Sequence, residues 1–193
     1  MEKKEEIVKE LTESIEVKQR LREDPACIGA IVDIAEAIID CYKNKGKVLF
    51  MGNGGSAADS QHLACEFVSK FKLERKSLPS IALSVNTSVL TAIGNDYEFE
   101  RIFARQVESF AETNDVVIGI STSGNSRNVI LALEEAKRKG AKTVSFIGSK
   151  ESKMAEISDL VLKVPSTDTP RIQEAHITAG HIICSIVESE LFA

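Results

Sequence analysis

Lys47-Val-Leu-Phe-Met-Gly-Asn-Gly-Gly-Ser-Ala-Ala-Asp-Ser-Gln-His-Leu-Ala-Cys-Glu-Phe-Val-Ser-Lys-Phe71 is the stretch that decides the fold. Val48 to Met51 is a short continuous apolar run, the pattern of a buried strand. Gly52, Gly54 and Gly55 allow a tight turn and a close approach of backbone to ligand. Ser56 is placed to cap a helix that runs through Asp59 and beyond. A glycine-rich loop that opens a helix presents free N–H groups at the positive end of the helix dipole, which is an anion site. On that helix His62 and Glu66 are four residues apart and share a face. One strand–loop–helix unit therefore offers an anion cradle and, further along, a pair of groups able to handle a proton or a metal ion.

Outward from this unit the chain alternates. Towards the C-terminus, Ile81 to Val85 reads as a second strand, Asn86 to Asp96 as a short helix broken at Gly94, and Glu98 to Phe110 as an amphipathic helix. Asp115 to Ser121 is a third strand. It feeds a second Gly/Ser loop, Thr122-Ser-Gly-Asn-Ser126, and a helix from Arg127 to Lys139 that Gly140 ends. Lys142 to Gly148 and Leu160 to Val164 are strands four and five, separated by a short helix at Lys153 to Ile157, and Arg171 to Leu191 is a long final helix. Short apolar strands alternating with helices specify a parallel sheet covered on both faces, hence a three-layer, flavodoxin-like α/β fold of five strands in the order 2-1-3-4-5. In such a sheet ligands bind at the strand C-termini where the order reverses, and both Gly/Ser loops lie there.

Towards the N-terminus, residues 3–22 carry Ile7, Leu11, Ile15 and Leu21 among charges at helical spacing. Asp24-Pro25 caps and restarts a second helix through Ile28, Ile31, Ile34 and Ile38 to about Tyr42. Residues 1–45 thus form a helical pair added ahead of the sheet domain, 46–193. The pair either covers the sheet or packs against copies of itself in an oligomer; the width of its apolar stripes favours the second.

Composition narrows the function. The net charge of −5 comes without a long basic run, and aromatics are 5% with no Trp, which argues against nucleic-acid binding by phosphate neutralisation or base stacking. No apolar run approaches the ~20 residues of a membrane span. The charged N-terminus lacks a signal-peptide pattern, so a soluble cytoplasmic protein is expected. Cys41, Cys65 and Cys184 sit in apolar surroundings without Cys-x-x-Cys spacing and read as small core residues.

The loops also exclude chemistries. Gly52-Asn-Gly54-Gly-Ser-Ala57 fits the loose dinucleotide pattern, but strand two ends at Val85-Asn86 without the carboxylate that would hold a ribose. A nucleotide-type Gly-x-x-x-x-Gly-Lys-Ser/Thr loop is absent. Gly119-Ile-Ser121-Thr-Ser123 lacks the last glycine of a nucleophile elbow. A small phosphate monoester fits better. Ser121, Thr122, Ser123 and Ser126 place four hydroxyls at a helix start, and Ser56 adds one from the other loop. Ser126 alone reads equally as a helix cap. On the last helix Gln173 and His181 share one ~80° stripe but lie about 12 Å apart along a straight axis. His176 lies near that stripe, where an ordinary satisfied histidine and a functional one both remain open.

Taken together, Gly52-Asn-Gly-Gly-Ser56, Gln61-His62 with Glu66, Gly94-Asn95-Asp96, Ile120-Ser-Thr-Ser-Gly-Asn-Ser126 and Arg171-Ile-Gln-Glu-Ala-His176 resemble the phosphoheptose isomerases of the sugar-isomerase (SIS) domain family over nearly the whole chain. The resemblance implies a cytoplasmic homotetramer that converts a seven-carbon ketose phosphate to its aldose, with one zinc ion per subunit. By that similarity His62, Glu66, Gln173 and His181 are zinc ligands. Asn53, Gly54, Gly55, Ser56, Glu66, Asn95, Asp96, Ser121, Thr122, Ser123, Ser126 and Gln173 contact the sugar phosphate, and Glu66 and His181 serve as base and acid. Two positions depart from the family. Lys70 stands where relatives often carry Arg, keeping the charge but not the planar fork, and Asn86 stands where relatives often have Asp. A non-catalytic SIS adaptor that binds a replication initiator protein is the rival reading. Such adaptors lack the Glu and the final His, and this chain has both. A sugar-phosphate-sensing regulator would need a separate DNA-binding domain, for which 193 residues leave no room.

Overall fold

A computed structural model describes residues 2–193. Helices α1 (Lys3–Glu23) and α2 (Pro25–Lys43) precede β1 (Val48–Gly52) and α3 (Gly55–Val68). Then come β2 (Ser80–Ala82), α4 (Thr87–Asp96), a 3-10 turn (Phe99–Arg101), α5 (Ala104–Phe110) and β3 (Val116–Ser121). The remaining elements are α6 (Arg127–Arg138), β4 (Lys142–Ile147), α7 (Lys153–Ile157), β5 (Leu160–Lys163) and α8 (Thr169–Phe192). The five strands form one parallel sheet in the order β2-β1-β3-β4-β5, as the sequence pattern requires.

Alternation along each strand divides the core in two. Val48, Phe50, Val116, Ile118, Ile120, Val144 and Phe146 face the layer of α2, α3 and α8. Leu49, Met51, Val117 and Ile147 face the opposite layer, where Val107 of α5, Val129 and Leu133 of α6 and Met154 of α7 are buried. Burial on both faces explains why the central strands read as unbroken apolar runs.

The two N-terminal helices have different roles. Asp24 caps α2, its Oδ1 accepting from Ala26 N at 2.9 Å, and Pro25 occupies the first helical position. The stripe Cys27, Ile31, Ile34, Ala35, Ile38 and Cys41 is buried in the core, so α2 is part of the sheet's cover. α1 buries only Val17 and Leu21 and leaves Ile7, Val8, Leu11 and Ile15 59–64% exposed.

Local expectations shift in three places. β2 is three residues long, because after Leu83 donates to Phe50 O at 2.8 Å the chain leaves the sheet and Val85 is exposed. The helix expected over 98–110 is split into the 3-10 turn and α5. Ile102 and Phe103 both turn into the core there, and the buried Gln106 amide donates to the carbonyls of Leu83 and Ile102 at 2.9 and 2.8 Å, so the broken turn leaves neither unpaired. Ser56 is not the cap of α3: Gly54 holds that position and Ser56 is buried in the first turn.

Candidate active site

β1 and β3 are neighbours with Gly52 opposite Ile120, so the two Gly/Ser loops leave the sheet side by side. In the second loop, the Ser121 hydroxyl lies 2.8 Å from that of Ser126 and 3.3 Å from that of Ser123. Ser126 holds the cap position of α6 without a side-chain capping bond. Its hydroxyl is committed to the serine cluster, which decides against the simple cap. Gly124 makes the turn with φ of 65°, and a Cβ there would lie 2.3 Å from Ser152 Oγ. The loop's other side is fastened down, with Lys153 N donating to Asn125 Oδ1 at 2.9 Å and Met154 N to Gly124 O at 3.1 Å. Hydroxyls therefore collect on one side of a rigid turn at the start of a helix, a suitable seat for phosphate oxygens.

The second half of the site is the seam between α3 and α8. His62 Nε2 lies 2.8 Å from His181 Nε2 and 3.3 Å from Glu66 Oε1. The donor atoms of all three side chains fall within 4.8 Å of one another. Ligand atoms about 2 Å from a tetrahedral ion lie about 3.3 Å apart, so this donor set fits a divalent ion with nitrogen and oxygen ligands. The helices approach closely because Gly180 has no side chain: a Cβ there would meet Leu63 Cδ2 at 2.5 Å. Asp59, one turn before His62, keeps a buried carboxylate oxygen without a partner. Burial pushes its pKa up to about 6 against the pull of His62.

Three of the four expected ligands meet at this seam. Gln173, from the start of α8, instead lies against Gly55 at the start of α3, where a Cβ would come within 2.3 Å of its amide nitrogen. Asn95 and Asp96 sit at the exposed end of α4, with Asn95 Nδ2 donating to Asp96 Oδ1 at 2.8 Å. His176 takes no part: it is fully buried and lies 3.2 Å from Ile147 O. Burial holds its pKa down at about 4, which keeps the ring neutral and Nε2–H the donor to that carbonyl. Cys65 is exposed, not the core residue its apolar neighbours suggested, whereas Cys41 and Cys184 are buried. Lys70 is paired with Glu74 on the exposed loop after α3. Asn86 caps α4, its side chain accepting from Val89 N at 3.1 Å, so this departure has a structural role.

Residues 6–148 match the SIS domain family. The phosphoheptose isomerase of Clostridium acetobutylicum is 57% identical over 183 residues, covering 95% of this chain and 93% of that one. The chain belongs to the phosphoheptose isomerase family. Among solved structures, the phosphoheptose isomerase of Neisseria gonorrhoeae superposes with a TM-score of 0.91 at 40% identity, covering 96% of this chain and 98% of that one. That of Francisella tularensis superposes with a TM-score of 0.93 at 34% identity, covering 98% and 100%.

Sequence reasoning missed part of this phosphoheptose isomerase-type site. Asn128, buried in the first turn of α6, exchanges two amide hydrogen bonds of 2.9 Å with Asn53 and so couples the two loops. Glu188 and Arg75 form a buried pair beyond the seam. Burial alone would raise the Glu188 pKa, but hydrogen bonds from the backbone of Phe71, Leu73 and Lys72 and from Arg75 outweigh it and lower the value. A sequence signal existed for Glu188. It falls on the same stripe of α8 as Ile183, Cys184 and Val187, where an unpaired carboxylate would be costly.

Proposed function

We propose that the protein is an aldose–ketose isomerase that converts D-sedoheptulose 7-phosphate to D-glycero-D-manno-heptose 7-phosphate, a precursor of surface heptose. The observation that carries this reading is that His181 meets Glu66 and His62 on the helix that opens from one of two neighbouring phosphate-type loops. In the proposed mechanism the phosphate is held by the hydroxyls of Ser121, Thr122, Ser123 and Ser126 and by the free N–H groups at the start of α6. Asn53, held by Asn128, and the backbone of Gly54 and Gly55 orient the sugar chain beside Ser56, with Asn95, Asp96 and Gln173 completing its contacts.

The reaction needs two proton movements. Glu66 removes a proton from C1 of the ketose, leaving an enediol, and returns one to C2. His181 carries the second proton between the oxygens, so that O2 gains the hydrogen that O1 gives up. A carboxylate and an imidazole both exchange protons near neutrality and are suited to these roles. His62, Glu66 and His181 would hold zinc; Gln173, the fourth ligand suggested by family resemblance, lies against Gly55 on the same unbroken helix as His181 and would complete the set from a neighbouring subunit. When bound, zinc supplies Lewis-acid polarisation of the sugar oxygens. The exposed apolar stripe of α1 fits packing against other copies of the chain in a homotetramer.

Incubation with sedoheptulose 7-phosphate, followed by NMR, should show the aldose 7-phosphate growing in. Glu66→Gln should slow it by roughly two to four orders of magnitude. Protein purified without chelator should carry about one zinc per subunit and scatter light as a tetramer. A wild-type protein that leaves the ketose untouched with its metal restored sinks the assignment.

A further inference from the structure

The Glu188–Arg75 pair lies outside the residues assigned to chemistry, yet its side chains are only 3% and 1% exposed. A buried ion pair is tolerated only where further hydrogen bonds complete it, and here they do. Glu188 Oε1 accepts from Phe71 N at 2.9 Å and Arg75 Nε at 2.8 Å; Oε2 accepts from Lys72 N at 2.7 Å and Leu73 N at 2.9 Å. Three consecutive backbone N–H groups thus converge on one carboxylate. The other edge of the guanidinium reaches the end of α3, donating to Glu66 O and Phe67 O at 2.8 Å each. Those carbonyls lie in the last turn of a helix, where intrahelical partners are missing.

Both ends of this clamp touch the site. At one end is the backbone of Glu66 itself. At the other, the loop fixed on Glu188 carries Phe71, whose ring stacks on His181 with centroids 5.6 Å apart and planes at 30°. Glu188 is seven residues past His181 on the same helix, about two turns along it. A carboxylate that served only to tie down the loop could come from any surface. This one comes from the helix that carries His181, and its partner closes the helix that carries His62 and Glu66.

We propose that Glu188 and Arg75 are positioning residues for the reaction: through Phe71 they set the orientation of the His181 imidazole, and through the end of α3 they set its distance from Glu66. The role assigned to the His62–Glu66–His181 group rests on the isomerase reading; the clamp itself does not.

The chain has three histidines, so metal-free protein labelled in its histidine rings gives three ring signals to follow at one fixed pH. Phe71→Leu removes the aromatic ring from above His181 and identifies the His181 signal by the ring-current shift it loses. Glu188→Gln keeps the side-chain volume but removes the charge that gathers the loop. We expect it to move the His181 signal towards the Phe71→Leu position while the His176 signal stays. Its kcat should fall about tenfold or more with KM within about twofold, where a lower folded fraction alone would leave the His181 signal of the folded protein in place. The Phe71→Leu/Glu188→Gln double variant should be no slower than its slower parent, because both act on one ring. An unmoved His181 signal in folded Glu188→Gln, an unchanged kcat, or losses that multiply in the double variant would overturn the proposal. If Glu188→Gln does not fold, Arg75→Lys carries the same measurements, since Lys keeps the charge but cannot span Glu188 and two α3 carbonyls. Loss of the isomerase reading appears separately, as a wild-type protein without turnover, and the ring signals still decide the positioning.

Discussion

The α3–α8 seam and α4 both carry residues assigned to the sugar phosphate, and they are held in opposite ways. In the seam, His62, Glu66 and His181 project from helices whose facing sides are packed through Leu63, Phe67, Ile183 and Cys184. Gly180 sets the separation of the helices, and the Glu188–Arg75 pair closes their far end. In α4, by contrast, not one residue is buried; Asn86 caps its start and Asn95 and Asp96 bond to each other at its exposed end. Chemistry that must meet within a few ångströms is placed where the core enforces the distance. Asn95 and Asp96, assigned only to substrate contact, sit instead on an element with no fully buried residue, which rests on the core through the partly buried Leu90 and Ile93.

The largest effect expected from this contrast is at the seam. His181→Ala removes a group that is not part of the core and should leave the fold intact, while kcat falls roughly two to four orders of magnitude and the zinc content of the purified protein drops. Steady-state kinetics with metal analysis on the same sample checks both. On α4 the expected effect is smaller. Asn95→Ala and Asp96→Ala should raise KM by up to about tenfold, the loss of about one hydrogen bond each, with an unchanged melting temperature. If either α4 variant costs as much kcat as His181→Ala, the division into a packed reacting seam and an exposed contacting element fails.

On stability rather than catalysis, the contrast separates two histidines of α8, His181 in the seam and His176 in the core. Because His176 is held neutral with its pKa lowered from 6.5 to about 4, the unfolded chain binds a proton in that interval that the folded chain does not. Stability from this source is therefore fully present above pH 6.5 and is lost as the pH falls from 6.5 towards 4, by up to about 3 kcal/mol. Asp59, raised to about 6, works in the opposite direction between its ordinary 3.8 and that value. The difference between wild type and His176→Phe isolates the histidine. Urea midpoints across this range should show the wild type losing stability relative to the variant on acidification. Parallel curves would place His176 outside the acid response.

Much of the fold was legible because burial leaves a strong periodic signal. The runs Val48–Met51 and Val116–Ile120, apolar apart from Gly119, are buried on both faces, so they stand out as strands without any partner being known. Asp24-Pro25 marks a helix start by local chemistry alone, and the structure uses it so. His62 and Glu66 were paired by helical spacing, which needs no tertiary information. β2, Ser56 and the segment 98–110 were misjudged where tertiary contacts override local preference: an edge strand released after Leu83, a glycine taking the cap, and Gln106 satisfying carbonyls across a broken turn. Cys65 was misplaced because its neighbours in sequence are apolar while its own side of α3 faces outward.

By itself the sequence determined the strand order, the two Gly/Ser loops at the switch point and the identity of the groups able to move protons or hold an ion. These depend on residue type and on short, regular spacings, which local geometry converts into faces and turns. Only the tertiary structure decided that His181 meets His62 and Glu66 while Gln173 lies against Gly55, that Asn53 and Asn128 lock the loops together, and that a buried Glu188–Arg75 pair holds Phe71 over His181. The physical reason is separation along the chain. Each of these contacts joins residues dozens of positions apart, and which of many similar polar side chains become partners is settled by how the helices pack, not by any pattern within one of them.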